Sequence, residues 1–238
     1  MKLDILAFGA HPDDVELGAG GILAKEASQG KKTGIIDLTR GEMGTRGTAE
    51  IRHLEAQEAA RILQLAVREN LELEDGFFQN NRNTQERVAR IIRIYRPDVV
   101  IANALEDRHP DHGRASQLVS DACFLAGLRK WEITHLAKPL AAWRPKAIYH
   151  YMQFRELQPD LIVDVSGFHE QKMQSVLAHK SQFYDPNSQE PQTVIASKGF
   201  MDSVTYRAMN YGRLIGVEYG EAFNVERPVG ASTLSELI

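Results

Sequence analysis

The chain has 238 residues, of which 43% are hydrophobic, and a formal net charge of −4. This length and composition predict one α/β domain over residues 1–238, and the lack of a basic excess disfavours nucleic acid as a partner. Cys123 is the only cysteine, which excludes an intramolecular disulfide and a cysteine-rich zinc module.

The first residues enter an apolar segment directly, without the basic, apolar and small-residue succession of a signal peptide. The apolar segments of the chain are also shorter than a membrane span. We therefore expect a cytoplasmic protein that acts on a small molecule and has no membrane partner.

Strand and helix patterns alternate through the first half of the chain. The predicted strands are residues 3–8, 32–38, 71–73 and 98–102, and the predicted helices are residues 15–29, 49–63, 83–95 and 111–127. Asn83 is expected to cap the third helix, and Pro97 to end it. This order predicts a Rossmann-like domain, with a mostly parallel sheet flanked by helices and an active site at the carboxyl ends of the strands.

The last third of the sequence is less regular. A proline-containing connection over residues 131–145 precedes two predicted strands, residues 147–152 and 161–165. Helices are predicted over residues 168–184 and 197–214, with a loop between them.

Three glycines, Gly18, Gly20 and Gly21, lie in the first turns of the first helix. A dinucleotide fingerprint needs its first glycines in the loop before the helix, where this chain has His11-Pro12-Asp13. The glycines therefore predict close packing of the helix on the sheet, or close approach of a ligand to the backbone.

The second helix is expected to bury one apolar face, formed by Ile51, Leu54, Ala59, Ile62 and Leu63. Arg52 falls in its first turn, where the helix dipole does not favour a cation. Its position alone therefore predicts a solvated arginine.

The loop after the first strand, His11-Pro12-Asp13-Asp14, has two interpretations. Proline and aspartate are ordinary turn residues, and either aspartate can cap the following helix. Alternatively, the spacing of His11 and Asp14 lets both side chains bind one cation while Asp13 points elsewhere. A catalytic zinc takes three protein ligands, so a third ligand would have to come from a distant loop.

A second loop of the same kind follows the strand at residues 98–102. Residues 106–112 contain His109-Pro110-Asp111-His112. Turn chemistry alone does not readily account for two such loops at the carboxyl ends of parallel strands, and together they favour a metal site. The polar, glycine-rich loop at residues 39–48, which includes Glu42, is predicted to form part of the pocket wall.

These segments resemble the LmbE-like, or PIG-L, family of zinc-dependent N-acetylglucosamine (GlcNAc) deacetylases. Within that family the chain is similar to the bacillithiol biosynthesis deacetylases, and the similarity extends nearly from end to end. The segments that carry the resemblance are residues 8–16, 107–112, 181–183 and 216–219, with Glu221 and Phe223.

The resemblance implies a site built from both histidine loops. Its zinc ligands would be His11, Asp14 and His112, and Asp13 would act as general base toward a zinc-bound water that attacks the acetyl group. Ferrous iron is the alternative metal, because the same ligand set can hold it.

The resemblance also implies roles for the residues around that site. His109 would stabilise the oxyanion or protonate the leaving group, and Asp111 would orient its ring, cap the next helix, or both. Arg52 would bind sugar hydroxyls, and Glu42 is a further candidate for substrate binding. Arg108 would bind the malate carboxylate of GlcNAc-malate, unless it pairs with Asp107 or Glu106.

Several alternatives remain open at this stage. The chain could deacetylate other N-acyl amino sugars, act as a two-metal phosphoesterase, or bind sugars or nucleotides without catalysis. The resemblance implies a homo-oligomer, in this branch a hexamer. Five other histidines are expected to be surface or core residues: His53, His135, His150, His169 and His179.

Overall fold

The computed structural model describes residues 1–233, which form a seven-stranded sheet with helices on both faces. The strands are β1 (Ile5–Gly9), β2 (Thr33–Thr39), β3 (Val67–Leu73), β4 (Val99–Ala102), β5 (Thr134–His135), β6 (Lys138–Pro139), β7 (Ala147–Tyr151), β8 (Leu161–Asp164) and β9 (Gly220–Val225). The helices are α1 (Asp14–Ser28), α2 (Ala49–Ile62), α3 (Arg82–Tyr95), α4 (Pro110–Ala126), α5 (His169–Leu177) and α6 (Lys198–Ile215).

The sheet has the strand order β3-β2-β1-β4-β7-β9-β8, and β5 and β6 form a separate hairpin. The neighbours from β3 to β7 pair in parallel, whereas β9 is antiparallel to both β7 and β8. This arrangement confirms the predicted mostly parallel α/β fold.

Both faces of the sheet are covered, as a parallel sheet requires. Along β1, Leu6 and Phe8 join the core beneath α3 and α4, whereas Ile5 and Ala7 face α1. Alternate side chains of a strand point to opposite faces, so one apolar run supplies both cores.

The chain leaves β1 toward β2 on one side and later returns to β4 on the other. The strand order reverses at this point, and the loops after β1 and β4 flank the resulting crevice. Open α/β sheets bind ligands in such a crevice, at the carboxyl ends of the strands.

The final strand of the sheet, β9, was not predicted from the sequence. It inserts between β7 and β8, and its carboxyl end returns toward the start of β7. The predicted strand at residues 71–73 is longer than expected and begins at Val67. The connection at residues 131–145 contains the β5–β6 hairpin.

Two helix predictions are wrong in detail. Asn81, not Asn83, caps α3, because its side chain accepts from the backbone N–H of Thr84 while Thr84 Oγ1 accepts from the Asn81 N–H. The helix predicted over residues 168–184 ends at Leu177, and the following turn is held by hydrogen bonds such as Gln182 N–H to His179 O.

The buried face predicted for α2 is wrong in part, although Ala59 and Leu63 are fully buried as predicted. Ile51 and Leu54 are 44% and 69% exposed, whereas Ala56 and Arg52 are buried. The helix places its small residues against the protein, and the Arg52 guanidinium finds partners inside it. The expectation of a solvated Arg52 is therefore corrected.

The glycines of α1 permit close packing, as predicted. A Cβ at Gly18 would lie 2.2 Å from the Tyr151 ring, and one at Gly21 would lie 3.1 Å from Glu221 Oε1. Helix α1 thus packs directly on β7 and β9. Within residues 1–233, no helix has the length and apolar character needed to cross a membrane.

Candidate metal centre

The loop between β1 and α1 supplies the first part of the site. Asp13 precedes α1 with a φ of 123°, a conformation that costs a non-glycine residue about 1–3 kcal/mol. Its carboxylate contacts Arg52 instead of capping the helix, with Arg52 Nη2 3.2 Å from Asp13 Oδ2. Arg52 also donates to the carbonyls of Pro12 and Gly41, at 2.8 and 3.0 Å.

Asp14 lies at the centre of the crevice and is 2% exposed. Its carboxylate accepts hydrogen bonds from the His11 backbone N–H, Asn103 Nδ2 and Gln153 Nε2, at 2.9, 3.1 and 2.6 Å. These donors come from the ends of β1, β4 and β7. Three neighbouring strands therefore fix the position of this carboxylate.

The two histidine loops converge on Asp14. His11 Nδ1 lies 3.4 Å from Asp14 Oδ2, and His112 Nε2 lies 3.2 Å from Asp14 Oδ1. The three residues predicted as metal ligands are thus brought together from the loop after β1, the start of α1 and the first turn of α4. Their assignment as ligands stays a prediction.

In each imidazole, the nitrogen that points away from Asp14 contacts a second carboxylate. His11 Nε2 lies 2.9 Å from Asp75 Oδ1, and His112 Nδ1 lies 2.7 Å from Asp107 Oδ2. A carboxylate oriented in this way fixes the tautomer and leaves the opposite nitrogen free to bind a metal. Those opposite nitrogens are the two that face Asp14.

The charges around the imidazoles favour a cation. Burial lowers the pKa of His11, but hydrogen bonds with Asp111, Asp14 and Asp75 raise it well above its usual value. Burial likewise opposes protonation of His112, whereas Asp14 and Asp107 raise its pKa to about 9. The site stabilises positive charge, as expected of a centre that binds a divalent metal.

Within residues 1–233, two overlapping donor groups have the geometry to hold an ion. One consists of His11, His109 and His112, and the other of His11, Asp75 and Asp111, with ligand atoms within 4.8 Å of one another in each. Both share His11. Neither group contains Asp14, the third predicted ligand. Nitrogen and carboxylate donors suit zinc and ferrous iron, so the donors present fit either metal.

His109 begins α4 as its N-cap, and its Nδ1 accepts a hydrogen bond from the Asp111 backbone N–H at 3.2 Å. A neutral imidazole with an acceptor at Nδ1 carries its proton on Nε2. Burial and the neighbouring His11 and His112 lower the pKa of His109, which favours this neutral form.

The prediction that the Asp111 carboxylate orients His109, and that Asp111 caps α4, is wrong. The carboxylate accepts from the Gly76 N–H at 2.8 Å and from Arg114, and it lies 3.5 Å from His11 Nε2. Asp111 therefore supports His11, because the first turn of α4 directs its side chain toward the loop after β3.

A cavity of about 310 Å³ opens over these residues. Its wall includes Arg52 and Arg108, both predicted to bind substrate, together with Phe154. The guanidinium of Arg108 lies 5.1 Å from the centroid of the Phe154 ring, and its backbone N–H, not its side chain, binds Asp107. Glu42 accepts instead from the N–H groups of Arg40 and Asp75, so it supports the wall.

Sequence reasoning missed four buried residues that hold the site together: Asp75, Asn103, Asp107 and Gln153. Asp75, Asn103 and Gln153 each follow the end of a strand, which was the available signal. Asp107 belongs to the second histidine loop but was considered only as a partner for Arg108.

Comparison with known proteins places this site in a family. Residues 6–123 match the model of the PIG-L family, described as GlcNAc-PI de-N-acetylase. The conserved protein TT1542 from Thermus thermophilus has 38% sequence identity and a TM-score of 0.87, with 98% of each chain covered. The protein has a Rossmann-like fold, and its crevice contains a set of donors that could hold a metal ion. The chain belongs to the PIG-L family of deacetylases.

Two characterised relatives differ in their reactions. The diacetylchitobiose deacetylase of Thermococcus kodakarensis is 28% identical over 228 residues, which covers 91% of this chain and 80% of that protein. The 4-oxalmesaconate hydratase of Pseudomonas putida is 27% identical over 187 residues, which covers 72% and 70%. Family membership therefore leaves the substrate to be argued from the site.

Proposed function

We propose that this protein removes the N-acetyl group from a GlcNAc conjugate by metal-dependent hydrolysis. The observation that carries the proposal is the convergence of His11, Asp14 and His112 beside a separate acid, Asp13. An amide hydrolase needs both a centre that favours positive charge and an acid–base group next to it.

The metal would be held by His11, Asp14 and His112, with Asp75 and Asp107 orienting the imidazoles. We propose zinc, with ferrous iron as the alternative. When bound, such an ion acidifies a water molecule and polarises the acetyl carbonyl.

Asp13 would accept the proton of the attacking water and pass it to the leaving nitrogen. Its contact with Arg52 holds the carboxylate in one orientation. The Nε2–H of His109 is available to donate to the oxygen that gains negative charge during the reaction. Arg52 reaches the cavity wall and would contact sugar hydroxyls.

We further propose that the aglycone carries a carboxylate, as in GlcNAc-malate of bacillithiol biosynthesis. Arg108 supports this proposal, because its exposed guanidinium lies over Phe154 at the cavity wall. A planar guanidinium binds a carboxylate through two parallel hydrogen bonds. Homo-oligomerisation and a cytoplasmic location stay predictions.

The direct test compares GlcNAc-malate with free GlcNAc on protein loaded with one known metal. We expect release of acetate from both, a higher kcat/KM for GlcNAc-malate, and about one ion per chain. Arg108→Ala should remove most of the preference for the conjugate. Equal turnover of both sugars would refute the malate assignment but leave the deacetylase assignment intact.

Asp13→Ala tests the chemical step. We expect a fall in kcat of about 10²- to 10⁴-fold, because the acid–base group is removed. Metal content and affinity for the sugar should change little, and Asp202→Ala, at an exposed position on α6, is the control. Unchanged turnover in Asp13→Ala would contradict the assignment of Asp13 as general base.

The second candidate is a hydratase, which the Pseudomonas putida relative favours. A hydratase adds water to a carbon–carbon double bond, and incubation with 4-oxalmesaconate distinguishes it from a deacetylase. A two-metal phosphoesterase is less well supported, because the two donor groups share His11. Two ions per chain, with release of phosphate from phosphate esters, would favour it.

A further inference from the structure

Gln153 lies beside the candidate metal centre but has no role in the mechanism above. It follows β7, is 6% exposed and lines the cavity. Its Nε2 donates to Asp14 Oδ1 at 2.6 Å. A carboxylate only accepts hydrogen bonds, so the amide NH₂ must face Asp14 and the amide oxygen must face away from it.

The amide oxygen of Gln153 is a buried acceptor without a donor. Oε1 is buried and has no hydrogen-bond partner within residues 1–233, although Gln153 itself lines the cavity. Nearly all buried polar atoms in native proteins are paired, and the exceptions call for an explanation. A hydrogen-bond donor on a ligand in the cavity would explain the unpaired oxygen of Gln153.

The carboxylates that line the cavity are already engaged, and Asn103 Oδ1, which is also unpaired, belongs to a residue that does not line it. Asp14 accepts from three N–H groups, and Asp75 accepts from His11 and from the Met43 backbone N–H. Asp13 contacts Arg52 and is assigned to proton transfer. The oxygen of Gln153 is uncharged, and it adjoins the carboxylate on which both histidine loops converge.

We propose that Gln153 Oε1 accepts a hydrogen bond from the N–H of the substrate's acetamido group and thereby selects N-acetyl over O-acetyl sugars. This inference rests on the proposed function. In the hydrolysis, the water oxygen bonds to the carbonyl carbon, the C–N bond breaks, and the nitrogen gains one proton from that water. The N–H bound to Gln153 stays on the nitrogen throughout.

An O-acetyl ester has the same carbonyl but an oxygen in place of the N–H. It would leave Gln153 Oε1 unpaired. A site built around a hydrogen-bond acceptor discriminates strongly against an analogue that lacks the donor. Gln153 is thus a specificity-determining residue, and its effect is measurable as a ratio between two substrates.

The experiment compares two matched substrates, a methyl 2-acetamido-2-deoxyglucoside and the corresponding methyl 2-O-acetylglucoside. Gln153→Leu should lower the amide-to-ester ratio of kcat/KM by about tenfold or more, because only the amide loses a hydrogen bond. Asn103→Leu is the matched control. Asn103 also donates to Asp14, at 3.1 Å, and its Oδ1 is likewise unpaired, but Asn103 does not line the cavity.

A merely structural role for Gln153 predicts a different result. In that case Gln153→Leu and Asn103→Leu would each slow both substrates by one common factor and leave the ratio unchanged, which would overturn the inference. Should Gln153→Leu fail to fold, Gln153→Met is subjected to the same comparison, because it keeps the length of the side chain. A wild-type protein that cleaves neither substrate would overturn the proposed function and this inference with it.

Equilibrium binding provides a readout that does not depend on turnover. In the Asp13→Ala background, adding Gln153→Leu should weaken affinity for the acetamido sugar and leave affinity for the O-acetyl sugar unchanged. Equal loss of affinity for both sugars would overturn the inference.

Discussion

At the scale of single residues, the two candidate metal-binding histidines are held in the same way by different parts of the chain. Asp75 comes from the loop after β3 and binds His11, whereas Asp107 precedes α4 and binds His112. Burial opposes ionisation of both carboxylates, but each has a lowered pKa because it interacts with an imidazole and with at least one backbone N–H group. They remain charged and can orient the rings.

Removing either orienting carboxylate should weaken metal binding. We expect Asp75→Ala and Asp107→Ala each to lower metal affinity about 10- to 100-fold, because the ring loses the partner that fixes its tautomer. Competition with a chromogenic chelator measures this affinity. Asp202→Ala should bind metal as the wild type does, and wild-type affinity in both orienting variants would contradict the role given to Asp75 and Asp107.

At the scale of secondary-structure elements, α1 joins the metal centre to the rest of the sheet. Its amino end carries Asp14, and its glycines let it approach β7 and β9 closely. The Glu221 carboxylate accepts from the backbone N–H groups of Gly21 and Ile22, at 2.9 and 2.8 Å. The position of this helix therefore sets the position of the metal centre.

Close packing of α1 predicts opposite effects for two glycine substitutions. Gly18→Ala should destabilise the protein by about 1–3 kcal/mol, because the new methyl group would overlap the Tyr151 ring. Gly199→Ala in α6 is the control. A Cβ there has no neighbour within 4 Å, and alanine favours a helix, so we expect a gain of about 0.5–1 kcal/mol.

Urea denaturation measures both effects as shifts in the midpoint. A Gly18→Ala variant as stable as the wild type would show that α1 can shift away from Tyr151. It would also contradict the packing argument for this glycine.

At the scale of the whole molecule, a buried ion pair ties the last strand to two helices. Lys172 of α5 and Glu221 of β9 are 3% and 2% exposed, with Lys172 Nζ 2.7 Å from Glu221 Oε1. Burial lowers the pKa of Lys172, and the adjacent carboxylate offsets part of that effect. The pair joins α1, α5 and β9 at one point.

Breaking this ion pair should destabilise the protein. We expect Lys172→Met to lower the free energy of unfolding by about 3–5 kcal/mol, because it leaves Glu221 charged and buried. The double variant Lys172→Met/Glu221→Gln should recover part of the loss, because the amide still accepts from α1. Lys198→Met, which breaks an exposed pair with Asp202, is the control and should change stability little.

Chemical denaturation of the three variants decides this prediction. An equal loss of unfolding free energy in Lys172→Met and Lys198→Met would show that the buried pair contributes no more to stability than the exposed one. Recovery in the double variant distinguishes an uncompensated charge from a loss of packing.

The first half of the fold was predictable because its signals are local. Apolar runs of strand length alternate with helical periodicity from β1 to α4, and the two histidine loops occur where strands give way to helices. The candidate ligands His11 and Asp14 could therefore be named from their spacing, and His112 from the family resemblance, together with the edge of the sheet on which they lie.

Other features depended on the tertiary structure. The inward face of α2 is set by the contacts of Arg52, and β9 inserts between two strands that precede it by more than fifty residues. The roles of Asp75, Asp107 and Gln153 depend on which imidazole or carboxylate each one meets across the crevice.

The sequence alone thus determined the mostly parallel α/β class and named candidate metal ligands, because periodicity and motif spacing are properties of neighbouring residues. Only the tertiary structure decided which nitrogen of each histidine faces Asp14 and that the Gln153 amide oxygen lies unpaired. Hydrogen bonds act over about 3 Å in space, and the groups that form them here are separated by up to about two hundred residues in the chain.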